Sequence, residues 1–293
     1  MIRHTAIGLN YIDIYFRSGL YKAPSLPATL GMEAAGEVLA IGSEVSDVQV
    51  GDRVAYATGP IGAYASQRVI AANRLIRLPP EIDDKTGAAM MLQGLTAQYL
   101  LCRTHRVVAG ETVLIHAAAG GVGLIACQWA HALGASVIGV VSTPEKADLA
   151  RAHGATHVII GHRDLAADVK RLTGGAMVPV VYDSVGRDTY AASIDCLAPL
   201  GMMVSFGSAS GPVPPVDLAT LSAKGSLFIT RPTLATYTAK RSDLERAAAD
   251  LFAVVKSGVV KIQVNQTFSL QDAAEAHRAL EARQTTGSTV LIP

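Results

Sequence analysis

A run of small residues between two apolar stretches has the clearest chemical meaning in this sequence. The strand-like run Thr112–His116 leads directly into Ala117-x-x-Gly120-x-x-Gly123, which also contains Gly121. Small side chains let a diphosphate approach the backbone, and the apolar helix expected next would offer free N–H groups and a positive dipole end. The pattern departs from G-x-G-x-x-G, so a small-residue turn without a nucleotide is the alternative. The candidate cofactor-binding residues of this turn are Ala119, Gly120, Gly121 and Val122.

A second candidate site lies at the end of the next apolar run, where Ser142 and Thr143 are followed by Lys146. Dinucleotide folds that select NAD commonly place an acid here, on the ribose 2′-hydroxyl. Two hydroxyls and a lysine suit a 2′-phosphate instead, so we expect NADPH to be preferred over NADH. The alternative for Lys146 is a solvated lysine on the surface of a helix.

Composition limits the possible partners. The 293 residues include 25 basic and 24 acidic ones, and no basic tract stands out, which argues against nucleic acid or an anionic membrane as partner. The apolar stretch 112–141 is interrupted by glycines, His116, Gln128 and His131, so we do not read it as a membrane span. The N-terminus lacks the long apolar run of a signal peptide. Three widely spaced cysteines suit a reducing cytosol, and we expect a cytoplasmic protein.

The elements that would hold these sites alternate regularly in the middle of the chain. Thr143 and Pro144 are typical of a helix start, as N-cap and first helical residue. Strands that alternate with helices predict a parallel sheet covered on both faces. Together with Thr112–His116, the predicted strands number six and follow at Ser136–Val141, His157–Ile160, Val178–Asp183, 202–206 and 226–230.

Residues 1–93 have a different pattern. Short β-like runs at 37–41, Arg53–Tyr56 and 64–69 are separated by Gly, Pro and Asp, which predicts a β-rich domain. The C-terminal part is helical at 242–257 and 270–283 and ends with a strand, Ser288–Ile292.

Several runs resemble one family in order along the chain. The block Gly31-Met32-Glu33-Ala34-Ala35-Gly36-Glu37-Val38, then Gly42 and Val50-Gly51-Asp52-Arg53-Val54, resembles the medium-chain dehydrogenase/reductase superfamily. Further runs are similar to the zinc-independent NADPH:quinone oxidoreductases, the group that includes zeta-crystallin. These runs are Gly8-Leu9-Asn10-Tyr11-Ile12-Asp13, Leu92-Gln93-Gly94-Leu95-Thr96-Ala97, Ala117 to Gly123, Tyr182-Asp183-Ser184-Val185-Gly186 and Thr230-Arg231-Pro232.

The resemblance implies an α/β fold of two domains. A Rossmann domain, a doubly wound parallel sheet, would span 94–234, and a β-rich GroES-like catalytic domain would combine 1–93 with 235–293. Family members usually begin further upstream with a β-hairpin, whereas this chain begins near Ile2, so we expect the catalytic domain to lack that hairpin.

The resemblance also bears on metal binding. Zinc-dependent relatives have His where this chain has Met32, and Cys close to the position of Tyr11. Neither a thioether nor a phenol is a normal zinc ligand, and the histidines show no metal-binding spacing. We therefore expect an enzyme without a metal.

By resemblance, residues 10–21 would lie beside the nicotinamide. Asn10 could donate to a substrate oxygen, while Tyr15 and Tyr21 could stack on a flat ring and donate through their hydroxyls. The alternative is that both tyrosines are packing residues. Asp13 is a candidate for the cofactor or for a cap of the local backbone. The further candidates for cofactor contact are Tyr11, Thr96, Phe206, Gly207, Ser208 and Arg283. The alternative for Arg283 is an exposed arginine at a helix end.

The leading hypothesis is NADPH-dependent reduction of a quinone by hydride or single-electron transfer. A 2-alkenal or enoyl-thioester reductase on the same scaffold is the first alternative, and a non-catalytic NADPH-binding protein of the crystallin type is the second. A homodimer is also expected, by resemblance and because the short apolar run 226–230 would lie at a sheet edge that another copy could extend.

Overall fold

The computed structural model describes residues 1–293. The chain forms two compact units. The terminal unit contains both ends of the chain, as Met1–Thr96, Leu234–Gly258 and Ile262–Pro293. The central unit consists of Ala97–Thr233 with Val259–Lys261.

The first part of the chain contains five strands and two helices. The strands are β1 (Ile2–Leu9), β2 (Glu33–Val38), β3 (Arg53–Tyr56), β4 (Gln67–Arg68) and β5 (Ile76–Arg77). The helices are α1 (Tyr11–Ser18) and α2 (Asp84–Tyr99), with a 3-10 turn at Ala72–Arg74 and a π-helical turn at Leu100–Thr104 after α2.

The central unit alternates strands with helices. Its strands are β6 (Thr112–His116), β7 (Ser136–Val141), β8 (His157–Ile160), β9 (Val178–Asp183), β10 (Leu197–Ser205) and β11 (Phe228–Thr230). Its helices are α3 (Gly121–Ala132), α4 (Pro144–Ala152), α5 (Leu165–Leu172), α6 (Tyr190–Asp195) and α7 (Leu218–Ala223).

The six strands of the central unit form one parallel sheet in the order β11-β10-β9-β6-β7-β8. Numbered along the chain, this is the order of the doubly wound dinucleotide fold. The order reverses between β6 and β9, and ligands of such sheets bind outside the carboxyl ends of the strands at this switch point. The prediction of a Rossmann sheet is confirmed.

The core of the central unit follows from near-continuous apolar strands. Leu114, Ile138, Val181 and Met203 come from four strands and are all fully buried in one cluster. Strands buried on both faces are expected where helices cover both sides of a parallel sheet.

The last part of the chain returns to the terminal unit. It contains α8 (Leu234–Tyr237), α9 (Arg241–Lys256), β12 (Val264–Ser269), a 3-10 turn at Leu270–Asp272, α10 (Ala273–Glu281) and β13 (Ser288–Ile292). The sheet of this unit has the order β12-β13-β1-β2-β3-β5, and β4 pairs with the start of β1.

β1 was missed by the sequence analysis. Its burial alternates at first and becomes continuous in the second half. β2 pairs with it along nearly its whole length, β4 with its start and β13 with its end. A strand whose partner lies at the other end of the chain leaves a weak local signal. Two predicted strands were also displaced, since β2 begins before residue 37 and β10 begins before residue 202.

None of the helices combines the length and hydropathy that a membrane span requires.

Candidate active site

The turn after β6 has the backbone that a diphosphate needs. Ala117 has a φ of 51° in the left-handed region, and the N–H of Gly120 donates to its carbonyl at 2.9 Å. Gly120 is then the N-cap of α3, and no side chain caps the helix. The N–H groups of the first helical turn are therefore available to an anion, reinforced by the helix dipole.

Gly123 explains why this helix can begin so close to the turn. A Cβ at this position would lie 2.2 Å from the carbonyl oxygen of Ala117. Only glycine allows α3 to pack against the turn, and this close packing is the role of the third glycine in dinucleotide folds. The four candidate residues of the turn lie together at the helix N-terminus, with Ala119 buried and Gly120, Gly121 and Val122 half-buried. These residues fit a dinucleotide diphosphate.

The residues predicted to bind a 2′-phosphate follow the carboxyl end of β7. Thr143 is the N-cap of α4, and its side chain accepts from the N–H of Lys146 at 3.3 Å. Ser142 is exposed and Lys146 is half-buried. The N–H of Gly161, after β8, donates to the carbonyl of Val141 at 2.8 Å. This contact brings the loop after β8 to the end of β7.

An open depression of about 550 Å³ lies at that loop. Its lining includes His162 and Arg163 but also Asp164 and Asp168. The negative charges of the two carboxylates would repel a bound phosphate, so we assign no phosphate contact to Arg163.

The end of β10 is braced by an arginine whose role the sequence analysis missed. Arg231 donates from Nη1 to the carbonyls of Ser205 at 2.8 Å and Gly207 at 3.0 Å, and from Nη2 to the hydroxyl of Ser208 at 3.3 Å. The N–H of Phe206 donates to the carbonyl of Asp183. The three candidates 206–208 therefore lie at the ligand-binding edge of the sheet, and Thr230-Arg231-Pro232 was the signal for the brace.

In the terminal unit, Asn10 joins β1 to α1 as the N-cap of the helix. Its Nδ2 donates to Oε2 of Glu33 at 2.7 Å, and its Oδ1 accepts from Nε2 of Gln93 at 3.1 Å. Ser288 on β13 donates to Oε1 of Gln93 at 2.7 Å. These three hydrogen bonds, from Ser288 through Gln93 and Asn10 to Glu33, fix the orientation of the Asn10 amide and use one of its two Nδ2 hydrogens.

Glu33 is a fully buried carboxyl that the sequence analysis did not assign. Its Oε1 accepts from the N–H of Leu92 at 2.6 Å, and its Oε2 accepts from Asn10. Burial raises the pKa of Glu33 to about 8, against the lowering effect of these donors. A proton held at this position near neutral pH is one consequence.

The side chain of Asp13 caps the start of α1. Its Oδ2 accepts from the N–H of Asn10 at 2.9 Å and from the hydroxyl of Tyr64 at 3.2 Å. His277 Nε2 contacts the Tyr64 hydroxyl at 2.9 Å, and Arg17 contacts Nδ1 of His277 at 3.2 Å. Because the Asp13 carboxyl has no exposed surface, we retain its capping role and drop it from the cofactor contacts. Its partners come from distant positions, so no local pattern could reveal them.

The aromatic candidates form a cluster around α1. The rings of Tyr15 and Tyr21 meet edge to face at 5.3 Å, and those of Tyr11 and Tyr15 lie 6.3 Å apart. Tyr15 is 8% exposed and Tyr21 is half-buried. This packing is the arrangement expected under the packing alternative.

The remaining candidates of this unit are less suited to contact a ligand. The hydroxyl of Tyr11 donates to the carbonyl of Leu280 at 3.0 Å, and that of Thr96 donates to Leu92 at 2.7 Å. Burial raises the pKa of Tyr11, and the charge of exposed Arg283 acts in the opposite direction. Tyr11 and Arg283 are thus brought near each other, while Thr96 is turned back onto its own helix.

The structure contains no group of three or more His, Cys, Asp or Glu side chains that could hold a metal ion.

Family models match both parts of the chain. Residues 1–112 match the alcohol dehydrogenase GroES-like domain, and residues 121–252 match the zinc-binding dehydrogenase family. Together with the parallel sheet and its diphosphate turn, these matches define a member of the medium-chain dehydrogenase/reductase superfamily.

Similar proteins indicate which family within this superfamily the chain belongs to. The chain is 58% identical to a quinone oxidoreductase of Pseudomonas aeruginosa, over all of this chain and 90% of that protein. The crystal structure of Escherichia coli quinone oxidoreductase complexed with NADPH is 51% identical, with a TM-score of 0.97 over 100% of this chain and 90% of that one. The 2-haloacrylate reductase of a Burkholderia species is 47% identical over 100% of this chain and 90% of that protein. The chain belongs to the quinone oxidoreductase family of medium-chain dehydrogenases/reductases.

Proposed function

We propose that this protein is an NADPH:quinone oxidoreductase that works without a metal. The observation that carries the proposal is the likeness, over the whole chain, to quinone oxidoreductases, one of which is solved with NADPH. The diphosphate turn after β6 and the absence of an acid from the tip of β7 support the same cofactor. The terminal unit would act as the catalytic domain and the central unit as the NADPH-binding domain.

In this proposal, NADPH binding and stabilisation of the reduced quinone fall to different residues. Backbone N–H groups of Gly121 and Val122 would bind the diphosphate, and Ser142, Thr143 and Lys146 would bind the 2′-phosphate. Bound NADPH supplies the hydride, and a proton from solvent completes the hydroquinone. The role of this chain is then to stabilise the anion that develops on the quinone oxygen.

Asn10 is the first candidate for that stabilisation, with Tyr15 and Tyr21 as further donors. The contact of Asn10 with Glu33 and Gln93 supports this role, because a fixed amide needs no reorganisation when charge develops. The reduced oxygen of a quinone becomes a resonance-stabilised phenolate. Hydrogen-bond donors therefore suffice where a simple carbonyl would benefit from a Lewis acid.

A panel of acceptors tests the proposal. Purified protein with NADPH is expected to reduce quinones faster than 2-alkenals, enoyl thioesters or 2-haloacrylate, with consumption of NADPH followed at its absorbance maximum. The likeness to 2-haloacrylate reductase favours reduction of an activated C=C as the second candidate. Faster turnover of those acceptors would select it, and tight NADPH binding without turnover of any acceptor would select a non-catalytic role.

NADPH preference depends on Lys146 in this proposal. Lys146→Ala is expected to weaken NADPH binding by about 1–3 kcal/mol and to leave NADH binding nearly unchanged, because the charged contact is to the 2′-phosphate. Lys170→Ala, an exposed lysine in the last turn of α5, is the matched control. Equal losses for both cofactors would contradict the assignment.

A homodimer in the cytoplasm is part of the proposal. β11 is the short edge strand of the central sheet, and Phe228 on it is 56% exposed. Unpaired edges of this kind are usually covered. Light scattering at micromolar concentration is expected to give the mass of a dimer. The three cysteines are free thiols, which supports the cytoplasmic location, and fractionation of expressing cells tests it.

A further inference from the structure

One buried carboxylate lies where three strands of the central sheet end. Asp183 is the last residue of β9 and has no exposed surface. β9 is flanked by β6, which ends at His116, and by β10, which ends at Ser205. The position between β6 and β9 is the switch point of the sheet, where dinucleotides bind.

The carboxylate of Asp183 accepts four hydrogen bonds. Its Oδ1 accepts from the N–H groups of Val185 at 2.7 Å and Gly186 at 3.1 Å. Its Oδ2 accepts from the hydroxyls of Thr189 at 2.7 Å and Ser193 at 3.0 Å. The first pair shapes the loop after β9, and the second pair ties that loop to the start and the middle of α6.

Ser193 extends this cluster to the neighbouring strand. Its Oγ lies 2.9 Å from Nε2 of His116. Because the single hydroxyl hydrogen of Ser193 points to Asp183, Nε2 of His116 must carry the proton and donate. Burial lowers the pKa of His116, so its ring is neutral. His116 immediately precedes Ala117, which begins the diphosphate turn.

The same loop also contacts the end of β10. The carbonyl of Asp183 accepts from the N–H of Phe206 at 2.8 Å. A Cβ at Gly207 would lie 2.3 Å from the carbonyl oxygen of Ser184, so the two loops touch through their backbones. Asp183 thus connects the turn after β6, the loop after β9 and the loop after β10.

We propose that Asp183, Ser193 and His116 are positioning residues for the dinucleotide. They hold the diphosphate turn in a fixed place relative to the two loops at the switch point. Fully satisfied buried polar networks specify one arrangement of the groups they join. The inference rests on the proposed NADPH-dependent function, although none of the three side chains needs to touch the cofactor.

The inference predicts which part of the ligand is affected. The diphosphate and the nicotinamide end would meet the connected loops, whereas the adenosine 2′-phosphate would be bound at the end of β7. Loss of the Ser193 link should therefore weaken NADPH and leave adenosine 2′-monophosphate unaffected, since this fragment has no diphosphate.

Ser193→Ala tests the link, because it separates His116 from Asp183 and leaves the other three donors to Asp183 in place. Thr173→Ala is the matched control. Its hydroxyl donates to the carbonyl of Val169 at 2.8 Å and accepts from the N–H of Met177 at 3.0 Å. These residues lie before the amino end of β9, whereas Asp183 lies at its carboxyl end. Calorimetric titration of the cofactor-free proteins with NADPH and with adenosine 2′-monophosphate gives the dissociation constants directly.

We expect Ser193→Ala to raise the dissociation constant of NADPH about tenfold, the consequence of losing one buried hydrogen-bond partner. That of adenosine 2′-monophosphate should stay unchanged, and Thr173→Ala should change neither. Equal weakening of both ligands, or no weakening of either, would overturn the inference. Failure of the wild-type protein to bind NADPH would instead overturn the proposed function.

Thr189→Val keeps the inference testable if Ser193→Ala does not fold. Valine keeps the shape of threonine and removes one of the two hydroxyl donors to Oδ2 of Asp183. We expect a rise of about threefold in the dissociation constant of NADPH, with the fragment again unaffected. An unchanged NADPH constant in a folded Thr189→Val protein would count against the inference.

Discussion

Buried carboxyl groups lie in both units of this protein, and their partners differ. In the central unit, Asp183 accepts four hydrogen bonds. In the terminal unit, Oδ2 of Asp13 accepts two, while Oδ1 has no partner. Burial raises the pKa of Asp13 to about 7 and that of Glu33 to about 8.

The two arrangements of donors allow different roles. A carboxylate whose acceptor sites are all used fixes the loops that donate to it. In a buried carboxyl with fewer donors, desolvation disfavours the charged form and raises the pKa. Such a group can gain or lose a proton near neutral pH. The dinucleotide-binding sheet therefore has a fixed framework, and the unit that contains Asn10 has groups that respond to pH.

The largest expected effect is from Asp183→Ala. Several buried donors would lose their acceptor, and the free energy of unfolding of the central unit should fall by about 3 kcal/mol. Urea unfolding followed by the fluorescence of Trp129, the single tryptophan, reports on this unit. Asp168→Ala is the control, since its pair with Arg171 is exposed and worth at most about 0.5 kcal/mol. Similar losses in both variants would remove the contrast between a saturated carboxylate and an ordinary one.

The next effect concerns catalysis in the terminal unit. Asn10→Ala removes the amide that Glu33 and Gln93 orient, and kcat for quinones should fall on the order of a hundredfold. Tyr15→Phe keeps the ring contacts and removes the hydroxyl alone. A weakly oxidising quinone should suffer more than a strongly oxidising one, because it depends more on stabilisation of the anion. Steady-state kinetics with both quinones, together with NADPH titration, separates kcat from cofactor affinity.

Two kinetic results would contradict the proposed roles of Asn10 and Tyr15. Unchanged turnover of every acceptor in both variants would show that Asn10 and Tyr15 are packing residues. A loss of NADPH affinity equal to the loss in kcat would point to a role in cofactor binding instead.

The third prediction is a pH dependence of stability that Asp13 causes. The unfolded chain ionises this carboxyl near its ordinary pKa of 3.8, whereas the folded chain keeps the proton until about pH 7. The folded state therefore binds the extra proton in this window, and stability falls as the pH rises through it. Asp13→Asn cannot titrate, so relative to wild type it should gain about 2 kcal/mol between pH 5 and pH 7.

Urea unfolding followed by circular dichroism at pH 5, 6 and 7 measures this difference. Glu33 titrates in both proteins, and because the charge of Asp13 contributes to the raised pKa of Glu33, the measured difference includes this coupling. A difference between the two proteins that stays constant over this range would show that Asp13 ionises near its ordinary pKa.

The smallest effect is expected from Ser288→Ala. The hydroxyl of Ser288 donates to Oε1 of Gln93 at 2.7 Å, at the far end of the chain of hydrogen bonds that reaches Asn10. Stability should fall by about 1 kcal/mol, the usual value of one such bond. A measurable fall in kcat with unchanged NADPH affinity would show that the orientation of Asn10 depends on the whole chain of contacts. Unchanged kcat would limit the relevant partners to Glu33 and Gln93.

Most of the central sheet could be predicted from local sequence patterns. Apolar runs followed by helix starts predicted β6, β7, β8 and β9 with their observed bounds. Thr143 and Pro144 were correctly predicted as a helix start, and the small residues after His116 lie in the predicted turn before α3. These features are local, because a strand buried on both faces and a capped helix each leave their signal within a few neighbouring residues.

The buried polar contacts could not be predicted from the sequence, because they join residues that only the fold brings together. Asn10 meets Gln93, Tyr64 meets His277, and Ser193 meets His116 across long separations in sequence. A polar side chain in a sequence has many possible partners, and the fold selects one by bringing distant strands and helices together. Desolvation at those positions then sets the proton affinity of Asp13 and Glu33, because burial depends on every element that packs around a group and not on its neighbours in the chain.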